Sequence, residues 1–202
     1  DLGTAVARDF VELPSQIMEH WAFEPEVLKM YAKHYETGEV IPQELINKIN
    51  NAGYFNQGFR TTELVAAAIL DMNWYTMTND GNAKGGDGLK NLDVNKFEAD
   101  AMNKIGLIPE IIPRYRSTYF KHIFSGGYSS GYYSYLWSEV LDSDAFNAFV
   151  EKGNIFDQET AKSFRENVLS RGGTDEPMTL YKNFRGAEPD PKYLLKNRGF
   201  VK

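Results

Sequence analysis

Between His122 and Val140 the chain reads HIFSGGYSSGYYSYLWSEV, which sets an imidazole, a glycine pair and a run of phenols in one short segment. Tyr128, Tyr132 and Tyr135 are spaced i, i+4, i+7, so a helix through them carries all three on one face. Phenols on one face are hydrogen-bond donors. Beside the flexible pair Gly126 and Gly127 they read as donors aimed at something that arrives and leaves. An aromatic stripe at helical spacing equally suits a protein core. Two features weigh against that plainer reading. The same helix carries a second, more apolar stripe, Tyr133, Leu136, Trp137 and Val140, which can serve the core. The residues between the tyrosines, Ser129, Ser130, Gly131 and Ser134, are small and admit a ligand or another chain.

A second segment, RDFVELPSQIMEHW from Arg8 to Trp21, contains Glu12 within a helical pattern. Taken alone, Glu12 is an exposed helix carboxylate. Beside the tyrosine segment it suggests metal chemistry. A zinc peptidase of the HExxH kind takes two histidines from one helix and a carboxylate from a later one. The motif's own glutamate is the general base. Phenols or imidazoles then stabilise the oxyanion of the tetrahedral intermediate. The chain contains no HExxH, and His20, His34 and His122 are too far apart in sequence to form one.

The elements that must position these residues read as mostly helical. The spacing predicts helices over Asp9–Ala22, where Pro14 either kinks the helix or starts a new turn, and from Pro25 to the Thr37-Gly38 turn. Pro42 takes a first-turn position ahead of Leu45, Ile46 and Ile49. Thr61 or Thr62 is expected to cap a long helix through Trp74. Shorter helices are expected over 97–105, 114–124, 177–184 and 192–196. Asp142-Ser143-Asp144 and Asp157 read as helix caps. Gly81 and Gly86 have phosphate-loop spacing, but Asp87 and Gly88 stand where Lys and Ser/Thr are needed, so residues 80–92 read as a surface loop, not a nucleotide site. No strand alternation, repeat or low-complexity linker divides the 202 residues.

Composition narrows the function. The net charge of −6 and the absence of a basic run disfavour nucleic acid as a partner. Without cysteine there is no disulfide and no Cys-based zinc site. No apolar run reaches membrane-spanning length. The start, Asp1-Leu2-Gly3-Thr4, has neither an initiator Met nor a signal-peptide pattern and reads as cut from a longer chain. A cytoplasmic setting is expected, with the periplasm left open.

The strings RDFVELPSQIMEHWA, FNQGF, ELVAAAILDMNWY, SGGYSSGYYSYLWSEV, SRGG and FRGAEPDPKYLLKNRGF carry a resemblance. In them the chain resembles the C-terminal part of the thimet oligopeptidase and peptidyl-dipeptidase family of zinc metallopeptidases, and within it the bacterial peptidyl-dipeptidases. The resemblance implies a mainly α fold that forms part of a deep substrate channel, with residues 1–202 the C-terminal portion of the catalytic domain. It implies that Glu12 is the third zinc ligand and that the HExxH segment lies upstream of residue 1. Tyr128 and Tyr135 match oxyanion-stabilising tyrosines. His122 matches a histidine that holds the peptide backbone, and Tyr132 a further tyrosine lining the cleft. Gly126 and Gly127 would let the loop close over the peptide. Asp9 matches an acidic position that orients a zinc-ligating histidine, caps a helix or makes a structural hydrogen bond. His20 and His34 read as surface or packing residues.

The implied activity is zinc-dependent hydrolysis of short peptides with release of C-terminal dipeptides. The implied partners are short peptides and the N-terminal remainder of the enzyme. The chain by itself is expected to be inactive, because it lacks two ligands and the base. Two alternatives stay open: an endo-acting oligopeptidase, and a non-catalytic helical interaction module.

Overall fold

In chain order the helices are α1 (Leu13–Phe23), α2 (Pro25–Tyr31), α3 (Gln43–Gly53), α4 (Gln57–Tyr75), α5 (Val94–Lys104), α6 (Lys121–Phe124), α7 (Ser134–Glu151), α8 (Gln158–Phe164), α9 (Pro177–Arg185) and α10 (Lys192–Asn197). A 3-10 turn, Ser117–Tyr119, precedes α6, and α8 runs on into a π turn, Arg165–Leu169. This computed structural model describes residues 5–77 and 92–201. Residues 1–4 and the 80–91 portion of the expected surface loop lie outside the described residues. Among those described there is no strand, only an isolated antiparallel bridge between Lys33 and Val40, so the mainly α expectation holds.

The helix starts show which local signals acted. Pro14 begins α1 and does not kink it: proline loses nothing at a position whose N–H has no intrahelical partner. The expected helix therefore starts at Leu13, and Asp9 to Glu12 form the turn that enters it. Pro25 opens α2 in the same way, but α2 stops at Tyr31, and the Thr37-Gly38 turn instead closes the short loop bridged at Lys33 and Val40. Asp157 caps α8 as expected, accepting from the Thr160 amide at 2.8 Å. Thr61 and Thr62 do not cap α4. The helix already begins at Gln57, and the Thr62 hydroxyl donates to the Gly58 carbonyl one turn back at 2.7 Å. Asp142-Ser143-Asp144 lies in the middle of α7, where buried partners compensate three poor helix formers. The expected helix over 114–124 breaks into the 3-10 turn and the single turn of α6.

The residues group into two compact units: Asp1–Gln57 with Trp137–Lys202, and Gly58–Leu136. The divisions fall inside α4 and α7, so no linker composition marks them, and the sequence reads as one unit.

In the first unit, Phe10 and the α1 residues Leu13 and Ile17 pack with Leu141, Ala145 and Phe146 of α7, Phe164 and Val168, and Leu180 and Tyr181 of α9. Full burial of each Leu or Ile here contributes roughly 1.5–3 kcal/mol. Several polar groups inside this core are paired. Tyr181 donates to Asp144 at 2.6 Å, and burial above all pushes its phenol far above its ordinary value. His20 bonds Asp142 at 2.7 Å and stacks on Phe146, so the packing reading of His20 holds. His34 is a local turn acceptor for the Glu36 and Thr37 amides.

In the second unit, α4 is the central element. One side of it packs Leu64, Ala67 and Ala68 against Phe120, Ile123 and Tyr132; another packs Ala66 and Leu70 against Ala101 and Met102 of α5. The run of alanines lets neighbouring segments approach α4 closely. Buried Glu98 of α5 accepts from the Ser117 amide at 2.7 Å and pairs with Arg116, which ties the chain ahead of α6 to α5.

Candidate functional site

The tyrosine segment is not the helix that its spacing suggests. Residues 128–133 are a chain of tight turns, and α7 begins only at Ser134. Ser130 sits in the left-handed region at φ 54°, which no continuous right-handed helix allows. The Gly131 amide donates to the Tyr128 carbonyl at 2.8 Å, and the Ser134 amide to the Gly131 carbonyl at 3.1 Å.

The turn sorts the tyrosines differently from a helix face. Tyr132 points inward and is 3% exposed, packed edge-on against Phe120. Burial pushes its phenol well above the ordinary tyrosine value; Arg114 opposes the rise, and Tyr115 and Tyr135 add to it. Tyr133, assigned to the core stripe from its spacing, is instead exposed at 43%. Tyr128 and Tyr135 are half-buried, and their rings stack with centroids 5.1 Å apart and 16° between planes. His122 lies beside them, 6.0 Å from the Tyr128 ring and 6.3 Å from the Tyr135 ring. Its Nδ1 is buried and has no hydrogen-bond partner among the described residues. A buried ring nitrogen without a partner costs free energy unless something else supplies one.

Gly126 and Gly127 have local reasons to be glycine. A Cβ on Gly126 would come within 2.8 Å of the His122 Cα and 2.9 Å of the His122 carbonyl oxygen. Gly127 has φ 82°, a conformation glycine adopts without strain. Together they fold the chain back so that the Tyr128 amide reaches the His122 carbonyl at 2.9 Å. The pair is what allows the imidazole and the first phenol to be neighbours.

Three further residues of this unit escape a reading by motif. Tyr115 tilts over His122 at 4.7 Å and stacks on Phe120 at 5.2 Å. Asp71 of α4 is fully buried and accepts from the Ser130 amide at 3.0 Å and the Tyr132 amide at 2.9 Å. Glu98 holds the Ser117 turn as described. A carboxylate set in the apolar run AAAILDMNWY was the available signal for Asp71: such a charge is either exposed or specifically solvated.

Glu12 belongs to the other unit. It occupies the residue before α1, at φ −88° and ψ −9°, and is half-buried. The Ser15 hydroxyl lies 3.0 Å from its carbonyl and 3.1 Å from its Oε2. The segment ahead of it is anchored by buried Phe10 and by the Ser138 hydroxyl of α7, 3.4 Å from the Asp9 carbonyl. Leu13 and Ile17, both 0% exposed, fix the helix that follows. Glu12 thus projects from the well-anchored start of a helix.

Among the described residues, no three His, Cys, Asp or Glu side chains come together in a group that could hold a metal ion. The fit to a metal is therefore partial: a carboxylate of suitable chemistry in one unit, and donor groups of the oxyanion-binding kind in the other. His122, Tyr128 and Tyr135 carry N–H and O–H groups of the kind whose hydrogen bonds to a carbonyl oxygen strengthen as charge develops on it. No helix is long and apolar enough to cross a membrane, among the described residues.

Known proteins match nearly the whole chain. The description Peptidase family M3 matches residues 1–200. The chain is 44% identical over 198 residues to the dipeptidyl carboxypeptidase of Escherichia coli, covering 98% of this chain and 28% of that protein. It is 40% identical over 196 residues to oligopeptidase A of Escherichia coli, covering 97% of this chain and 28% of that protein. Saccharolysin of Saccharomyces cerevisiae is 32% identical over 198 residues, 96% of this chain and 26% of the yeast protein. The chain thus spans a little over a quarter of the length of these relatives. Over nearly its whole length, the chain belongs to peptidase family M3.

Proposed function

We propose that this chain is the C-terminal portion of the catalytic domain of a zinc peptidase that cleaves short peptides and releases C-terminal dipeptides. The observation that carries the reading is the cluster of His122, Tyr128 and Tyr135 in a chain of family M3. Zinc, when bound, supplies the activated water and the positive charge that polarises the scissile carbonyl. Glu12 would be one of its ligands, and the remaining ligands and the general base belong to sequence ahead of residue 1.

The residues of this chain have separable tasks. Tyr128 and Tyr135 donate hydrogen bonds to the scissile carbonyl oxygen, and these bonds shorten as negative charge builds there. His122 donates from its ring to a backbone carbonyl of the peptide. Tyr132, kept protonated by burial, lines the floor beneath Tyr135, with their rings 5.2 Å apart. Gly126 and Gly127 let the turn close over the bound peptide. Alone, the chain neither holds zinc tightly nor hydrolyses peptide, because one carboxylate is too few ligands.

The name oligopeptidase A on a relative of nearly equal similarity supports a second reading, internal cleavage of oligopeptides. One assay separates the two. The full-length protein is given an N-blocked tetrapeptide with a free or an amidated C-terminus, and the products are identified by mass. Release of a dipeptide from the free acid alone supports the dipeptidase reading; equal cleavage of both supports the endopeptidase. If the zinc-loaded protein cuts neither, the peptidase assignment falls. Zinc-dependent hydrolysis by residues 1–202 alone would overturn the claim of inactivity.

A further inference from the structure

The turn that carries the phenols has to be held against its own conformational preference. Ser130 is a non-glycine residue at φ 54°, and the segment 124–127 before it is exposed. Left to itself, such a turn relaxes to ordinary backbone angles and separates Tyr128 from Tyr135. Two contacts from the last turns of α4 oppose that. At one foot of the loop, the Ile123 carbonyl accepts from the Tyr75 hydroxyl and, at 2.7 Å, from the Ser129 hydroxyl. At the other, Asp71 accepts the Ser130 amide on Oδ1 and the Tyr132 amide on Oδ2. The Gly131 amide also faces this carboxylate.

Asp71 is 0% exposed, and among the described residues its partners are backbone amides, with no ion pair. Burial raises its carboxyl above the ordinary value, while the three amides pull it back down. A carboxylate left without water is kept in a core only where its acceptor capacity is used in full. Here that capacity is used on the Ser130 and Tyr132 amides, with the Gly131 amide facing it between them, and on no other partner among the described residues.

We infer that Asp71 is a positioning residue for the oxyanion phenols: it clamps the backbone at 130–132 and so sets Tyr128 and Tyr135 side by side, without touching substrate itself. The inference rests on the proposed peptidase function for its kinetic consequence, but its structural half stands apart. Asp71→Asn is the informative change, because it keeps the shape and turns one acceptor into an NH2 donor facing an amide N–H. Whichever way the amide is turned, one of the two gripped N–H groups loses its acceptor.

The test uses the full-length zinc-loaded protein and variants Asp71→Asn, Tyr135→Phe and the double variant. For Asp71→Asn we expect kcat for a short peptide to fall about a hundredfold, with KM and bound zinc little changed. In the Tyr135→Phe background the same change should cost less than about tenfold, because the phenol it positions is already silent. Fully additive losses, or undiminished kcat in the single variant, overturn the kinetic claim. Hydrogen exchange provides the structural arm: the amides of 128–134 should exchange faster in Asp71→Asn, while those of α1 and α9 do not change. Unchanged exchange at 128–134 overturns the clamp whatever the kinetics. If the wild-type protein proves to have no peptidase activity yet exchange at 128–134 rises, the functional reading fails and the clamp survives. Should Asp71→Asn not fold, the wild-type protein still decides: the Ser130 and Tyr132 amides must exchange slowly, and rapid exchange at both refutes the grip.

Discussion

Glu12 and the tyrosine turn are held in place by opposite means. The residues around Glu12 are anchored by apolar burial: Phe10, Leu13 and Ile17 sink into the core of their unit, and the glutamate projects from the start of the helix they fix. The tyrosine turn has an apolar floor, with Tyr132 inside it, but its backbone path is dictated by polar groups. Asp71 grips two amides, the Ile123 carbonyl receives two hydroxyls, and Gly126 occupies a place where any side chain would collide with His122. Apolar anchoring is non-directional and tolerates small errors. A polar clamp is directional and fails when one partner is lost. In the proposed function, a single charge offered to a metal needs mainly to be present at a helix start. Two phenols proposed to share one oxygen need their angle and spacing fixed, which a directional scaffold can supply.

The largest expected effect comes from removing the charge itself. Glu12→Ala in the full-length protein should abolish stoichiometric zinc, measured by metal analysis after dialysis, and take turnover with it. Retained zinc would remove Glu12 from the ligand set. Tyr135→Phe should instead keep zinc and lose about 10²–10³ in kcat, roughly 3 kcal/mol of transition-state stabilisation. Full turnover in that variant would break the functional half of the comparison.

Next in size is the apolar anchor. Leu13→Ala should destabilise by about 3 kcal/mol in denaturant unfolding, through lost burial plus a residual cavity at a 0% exposed site. If Glu12 is anchored as described, zinc content at saturating metal should survive this change so long as the protein remains folded. A zinc loss equal to that of Glu12→Ala would show the anchor to be as exacting as the polar clamp.

The smallest effect concerns pH. The folded-state pKa of Asp71 is raised above its ordinary 3.8, so protonation favours the folded state. That contribution is complete below pH 3.8 and is lost as pH rises through the folded value. The Tm difference between wild type and Asp71→Asn, followed from about pH 3 to 6, should therefore shift against the wild type across this window. Leu13→Ala has no titrating group and should show no such component.

Much of the first unit was legible because its signals are local. Pro14 and Pro25 start helices, Asp157 caps one, and the aliphatic spacing of α1 marks the face that is buried. The tyrosine segment was legible in composition but not in shape. The spacing of Tyr128, Tyr132 and Tyr135 matched a helix, yet the glycines and serines between them matched a turn equally well, and only tertiary hydrogen bonds choose. That choice broke up the expected helix face: Tyr132 is buried, and Tyr133, read as a core residue, is exposed. Asp142 and Asp144 misled in the same way: acidic residues that suit a cap locally were drawn into α7 because His20, Tyr181 and Arg185 solvate them there.

The sequence by itself determined the helical class, the helix starts marked by proline or a capping aspartate, the family strings and the inventory of chemical groups, an imidazole, several phenols and Glu12. Those follow from side-chain identity, short-range sterics and local capping, which act within a turn or two of chain. The tertiary structure alone decided which phenols stack, which one is buried and what holds them. Asp71 and Ser130 are 59 residues apart, and no local preference can specify a bond between a buried carboxylate and an amide that distant until the core has brought them together.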